Sequence, residues 1–161
     1  MEERRVIATR LGEREISLDR VIHFPRGLIG MENKRDFTVL QVREGAPLLI
    51  LQSMNDPGLG LLVADPFAFL PDYQLRINDA EQRLLQASAI EDLAILVTAT
   101  IPPGKPEETA LHLMGPILIN HRVRLGLQVP QMEGSYPPKV YVHLAQATAQ
   151  EKITTHQQQN D

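Results

Sequence analysis

Two apolar runs separated by five residues constrain this chain more than anything else in it. PLLILQS at 47–53 and LGLLVAD at 59–65 are almost continuously hydrophobic, and between them lies MNDPG. Asp56, Pro57 and Gly58 supply a bend, because proline presets φ and glycine accepts backbone angles that other residues avoid. Two short apolar segments joined this closely read as a hairpin of buried strands. Strands buried along their whole length need packing partners, so the rest of the chain must supply them.

It does so with more short strands. Arg5 to Thr9 is rich in β-branched residues, 20–24 alternates weakly, and FTVLQV at 37–42 alternates better. LAILVTAT at 93–100 and TALHLM at 109–114 form a second pair around IPPGKPEE. ILINHRVRLGLQVP at 117–130 is predicted as two further short strands with a break near Asn120. One segment reads as a helix, Asn78 to about Ala87, with Asn78 as cap and Glu81 completing a capping box. DPFAFLPDY at 65–73 is bounded by prolines and predicts a single tight turn. Many short strands, one helix and frequent Gly/Pro turns point to a mostly β fold: a single-domain antiparallel β-barrel-like structure with one short helix. There are too few helices to serve as crossovers in a parallel sheet. The expected domain spans 1–144, and 145–161 is a polar C-terminal tail, expected to be disordered or marginally helical.

Composition limits the function classes. A chain of 161 residues is expected to form one domain. Cysteine is absent, which excludes disulfides, thiolate metal sites and cysteine nucleophiles. The N-terminus is charged and lacks a signal-peptide core, and no apolar run approaches the roughly 20 residues of a membrane span. A cytoplasmic protein without membrane contact is expected. The net charge of −4 argues against direct nucleic-acid binding and leans toward a basic protein partner.

No segment carries an evident catalytic pattern. His23, His112, His121, His143 and His156 form no H-x-x-x-H or H-x-H pair, so a metal site would need distant strands. His112, on an apolar strand, is expected to be half-buried with one nitrogen satisfied. Asp65 and Asp72 flank an apolar turn and could form an acid/base pair, but aspartates there more often bond local backbone amides. GLGLL at 58–62 lacks the spacing and following helix of a phosphate loop. Arg122 and Arg124 would share one face of a strand, yet no aromatic residues interleave for base stacking.

What stands out is apolar material in two proline-bounded loops, FPRGLIGM at 24–31 and PFAFLPDY at 66–73. Aromatic side chains bury about 150–250 Å² each, so their placement matters. Phe24 and Phe67 are expected inside, with Leu28, Met31 or Tyr73 at a rim. The candidate docking residues are Leu28, Ile29, Met31, Leu70, Asp72 and Tyr73.

The ordered set FPRGLIGMEN, LLILQSMNDPGLGLLVADPFAFLPDY, a capped helix, LAILVTATIP, MGPILIN and RLGLQV resembles the flagellar assembly factor FliW family over about residues 16–138. Phe24, Pro25, Gly27, Gly30 and Glu32 match its first motif. Gln52, Ser53, Asp56 and Pro57 match the second, and Asp65, Pro66, Phe67, Phe69, Pro71, Asp72 and Tyr73 the third. Pro116, Ile117 and Asn120 match the last. The resemblance implies a non-enzymatic, cofactor-free cytoplasmic regulator, expected to be monomeric alone. Such proteins bind the translational repressor CsrA and prevent it from silencing flagellin mRNA. They also bind flagellin, so the two partners exchange on one regulator. Two other readings remain open: a small-molecule-binding barrel or hydrolase using Asp65, Asp72 or His112, and a nucleic-acid binder using Arg122 and Arg124.

Overall fold

The structure is a computed structural model, described here for residues 3–42, 47–132 and 136–143. Its strands are β1 (Arg4–Thr9), β2 (Gly12–Ser17), β3 (Ile22–His23), β4 (Asp36–Gln41), β5 (Leu48–Ser53), β6 (Gly60–Ala64), β7 (Ala94–Thr100), β8 (Ala110–Asn120), β9 (Leu125–Gln128) and β10 (Val140–Tyr141). The single α-helix among the described residues, α1, is Asp79–Leu84.

The hairpin expected from the two apolar runs is β5–β6, and every residue of β5 is buried. Its register runs from Leu48 opposite Ala64 to Gln52 opposite Gly60. A polar residue organises the turn. Gln52 is 0% exposed, and its side-chain amide lies within hydrogen-bond distance of the Ser53, Asp56, Pro57 and Leu59 carbonyls. The Ser53 hydroxyl accepts from the Asn55 and Asp56 amides, and Asp56 accepts from Gly58 N. A buried polar side chain is tolerable because neighbouring backbone groups satisfy it.

From this hairpin the sheet extends both ways and closes on itself. The order is β10-β8-β7-β6-β5-β4-β3-β9, and β9 also pairs with β8. β3 and β9 run parallel, His23 opposite Leu125, while every other pairing is antiparallel. The ring of strands therefore has a filled, barrel-like interior. Phe24, Leu28, Phe37, Leu51, Ile117 and Ile119 form part of its packed core. Phe24 and Phe37 meet edge to face, centroids 5.5 Å apart. Gly126 on β9 makes room for this pair, since a Cβ there would sit 2.5 Å from the Phe24 ring.

Several details differ from the sequence expectation. GEREIS was not expected as a strand, but it is β2, paired with β1 as a separate ribbon. That ribbon is fastened to the barrel at its tip, where Arg10 N donates to Gln52 Oε1 at 3.0 Å and the guanidinium donates to Gly60 O. TALHLM and ILIN are one strand of 11 residues, not two, running through Gly115 and Pro116. Its register with β7 slips between Leu96 and Thr98, so four residues of β8, 113–116, face Val97 alone. Such a bulge lets a strand bend without ending. The segment 121–124 is a turn with Arg124 at φ +59, so Arg122 and Arg124 do not share a strand face. α1 is shorter than expected, but Asn78 and Glu81 do form the capping box. The proposed tail, 145–161, lies outside the described residues.

Candidate protein-binding surface

FPRGLIGM forms two consecutive tight turns. Gly27 N donates to Phe24 O at 2.9 Å, and Gly27 takes φ +63. A Cβ at Gly27 would sit 2.5 Å from the Glu32 carbonyl oxygen, so both the angle and the space require glycine here. Leu28 and Met31 then exchange backbone hydrogen bonds across Ile29 and Gly30. The tip amides are also held. Ile29 N donates to Gln128 Oε1 at 2.9 Å and Gly30 N to Glu32 Oε2 at 2.7 Å.

These bonds decide which side chains face outward. Leu28 is 1% exposed and belongs to the barrel core with Phe24, which corrects its assignment to the rim. Ile29, at the turn tip, is 55% exposed. Met31 is partly buried against the core. Ile29 thus projects from a loop whose tip amides are already satisfied.

The second loop is built from the Asp65 cap. The Asp65 carboxylate accepts from Phe67 N at 2.8 Å, starting a single 3-10 turn over Pro66–Ala68. Leu70 N and Tyr73 N continue the chain of bonds to Pro66 O and Leu70 O. Leu70 is half-buried and Asp72 is exposed. Tyr73 is the second correction: it is 4% exposed, between Phe67 and Tyr136, and its hydroxyl donates to Leu113 O at 2.8 Å. The bulge explains why. It leaves β8 carbonyls without ladder partners, and the Tyr73 hydroxyl takes Leu113 O while Gln128 Nε2 takes Gly115 O. Both loops are thus moored to β8 within three residues of each other.

Burial pushes the Tyr73 hydroxyl up from 10.0 to about 12, with the neighbouring Tyr136 adding to the effect. The folded state holds this proton more tightly than the unfolded chain does. The associated stability is therefore fully present below pH 10 and is lost as pH rises toward 12. In an ultraviolet pH titration, Tyr73→Phe should remove the tyrosinate step that appears near pH 12. Three tyrosines all titrating near pH 10 in the wild type would contradict this burial.

Beside the second loop, a groove of about 450 Å³ runs along β7. Phe67, Leu75, Ile90, Leu93 and Ile95 make it largely apolar, with Arg76 and Glu91 at its edges. Its far side is steadied by Gln131, whose amide exchanges hydrogen bonds with the backbone of Arg76. Asn120 is buried on β8; it donates to Leu85 O beyond α1 and accepts from Arg122 N in the following turn. It is thus a structural fastener.

Two of the residues considered for chemistry are engaged locally. Asp65 is engaged as a cap. His112 is half-buried, and its Nε2 lies 2.7 Å from Thr100 Oγ1. Burial, with Lys139 nearby, lowers its affinity for a proton. Among the described residues no three histidine, aspartate or glutamate side chains converge as a metal site would need. No helix among them is long and apolar enough to cross a membrane. The sequence reading missed Gln52, Gln128 and Gln131 as organisers. Their signal was weak, since glutamine in a strand or loop is ordinarily a surface residue.

A ring of strands with a packed interior and loops fixed from β8 defines a small, mostly β protein. The family model described as "FliW protein" matches residues 5–142. The chain belongs to the FliW family. It is 62% identical to the flagellar assembly factor FliW of Nitratidesulfovibrio vulgaris strain DP4 over 141 residues, covering 88% of this chain and 82% of that protein. The FliW of Desulfovibrio desulfuricans is 55% identical over 139 residues, covering 85% and 83%. A crystal structure of the flagellar assembly factor FliW superposes with a TM-score of 0.80 at 32% identity, covering 86% of this chain and 97% of that one.

Proposed function

We propose that this chain is a flagellar assembly factor acting by protein binding, as a partner switch between the repressor CsrA and flagellin. The observation that carries the proposal is its 62% identity, over most of its length, to a protein named as such a factor. In this reading the chain sequesters CsrA and so relieves repression of flagellin mRNA. Unexported flagellin occupies the chain and leaves CsrA free. The switch requires only that binding one partner lower affinity for the other, a reciprocal coupling free energy. It operates without a cofactor or enzymatic step, in the cytoplasm where both partners are made. The contact residues in this reading are Ile29, Met31, Leu70 and Asp72.

The alternative of a small-molecule barrel loses support from the interior, where Phe24, Phe37, Leu51 and Ile117 are packed together. Calorimetric titration with CsrA of the same organism, repeated with flagellin bound, tests the proposal. Tight binding to CsrA that flagellin abolishes is expected. No binding to either partner would overturn the switch.

A further inference from the structure

The β1–β2 ribbon leaves an unpaired strand edge beside a second groove. β1 pairs with β2 on one side through all six of its residues, and among the described residues no other strand pairs with it. Val6, in the middle of β1, is 60% exposed. An unpaired edge offers a row of backbone donors and acceptors to any extended segment that can reach it.

The groove lies between the base of this ribbon and the barrel, with a volume of about 490 Å³. Its walls include Leu18, Val21, Met54 and Leu125, and three basic side chains, Arg5, His23 and Arg124, reach it. Asp36 is the one carboxylate in the lining, and it is already paired with His23 Nδ1 at 2.8 Å. Arg124 is committed too, donating to Leu18 O at 3.0 Å. Arg5 differs from both. Its exposed guanidinium has neither a hydrogen bond nor an ion pair among the described residues. In a chain of net charge −4, this is a local reversal of sign against an apolar wall.

On the face of the ribbon away from Arg5, the strand that β1 already holds presents carboxylates. β2 is GEREIS, which places Glu15 opposite Val6 and Glu13 opposite Ala8. Arg4 forms an ion pair with Glu15 at 3.6 Å. We infer that the free edge of β1 is a strand-addition site for an extended segment of a partner protein that alternates acidic and apolar residues. Backbone bonds to β1 supply the attachment. Alternate side chains enter the groove, a carboxylate meets Arg5, and apolar neighbours cover Leu18 and Met54. A basic strand in the same place would set its charges against Arg5 and Arg124.

This rests on the chain's being a protein-binding module but not on which partners it takes. The test is selection from a library of randomised, end-blocked six-residue peptides against the full chain. Arg5→Glu is selected in parallel, since an exposed position tolerates the change. Enriched peptides should carry Asp or Glu at alternate positions. A synthesised representative should lose at least tenfold in affinity for Arg5→Glu and a similar factor when its backbone amides are methylated. Enrichment without acidic bias, a bias that survives Arg5→Glu, or no enrichment at all would overturn the inference. If CsrA or flagellin still bound the wild type in that case, only the strand-addition site would fall. Failure of those titrations as well would overturn the binding-module reading itself.

Discussion

Leu28→Asp should unfold the barrel, whereas Ile29→Asp, one residue further on, should leave it folded and impair partner binding. Leu28 is 1% exposed among Phe24, Phe37 and Ile119. Removing a buried leucine side chain costs about 2–5 kcal/mol, and a carboxylate in its place adds the penalty of burying a charge. Against a typical domain stability of about 5–15 kcal/mol, that sum can exceed the margin. Ile29 stands on the same turn but projects outward, and surface substitutions generally change stability by no more than about 0.5 kcal/mol. Urea unfolding followed by circular dichroism separates the two variants. Calorimetry with CsrA then reads Ile29→Asp: if the folded variant binds like the wild type, the first loop is not part of the contact. A folded, stable Leu28→Asp would contradict the inward placement of that side chain.

Gln52→Leu should produce the second large effect, although the substitution keeps nearly the same volume. The glutamine accepts from Arg10 N and donates among the turn carbonyls that close β5–β6. Each buried group left without a partner costs about 1–3 kcal/mol. The Asp56 and Leu59 carbonyls keep the Leu59 and Ser53 amides as donors, so the loss falls on the Arg10 amide and at most one further carbonyl. Loss of stability should therefore amount to at most two such increments, up to about 6 kcal/mol. Hydrogen exchange should show amides of the β1–β2 tip opening before those of β5. Unchanged unfolding midpoints would mean that water or a neighbouring group replaces the glutamine without penalty.

The parts of the fold that were legible in sequence are those where one local rule acts alone. β5 and β6 were readable because both are near-continuously apolar, and the bend at Asp56-Pro57-Gly58 has a distinct chemistry. The α1 cap was readable because Asn78 and Glu81 complete it within four residues. β8 was misread because Gly115-Pro116 ordinarily ends a strand. Here Tyr73 and Gln128, distant in sequence, satisfy the carbonyls that the bulge releases. β2 was missed because only Ile16 and Ser17 of GEREIS are buried, which leaves no alternation to detect.

The candidate surface was legible as two loops but not as orientations. Apolar composition marked Leu28, Ile29 and Tyr73 equally. Orientation was settled by contacts with residues far along the chain: Gln128 for the Ile29 amide and Leu113 for the Tyr73 hydroxyl. The place of Arg5 beside an unpaired edge could not be read either, because it depends on how the ribbon meets the barrel.

Closure of the ring between His23 and Leu125 has a consequence during synthesis. A ribosome adds about 5–20 residues each second, so roughly 5–20 s separate the appearance of β3 from that of β9. Through that interval β3 lacks its β9 partner and the ring cannot close. Contacts between such remote segments also slow the final folding step. A newly made molecule therefore has no complete barrel until its last strands arrive.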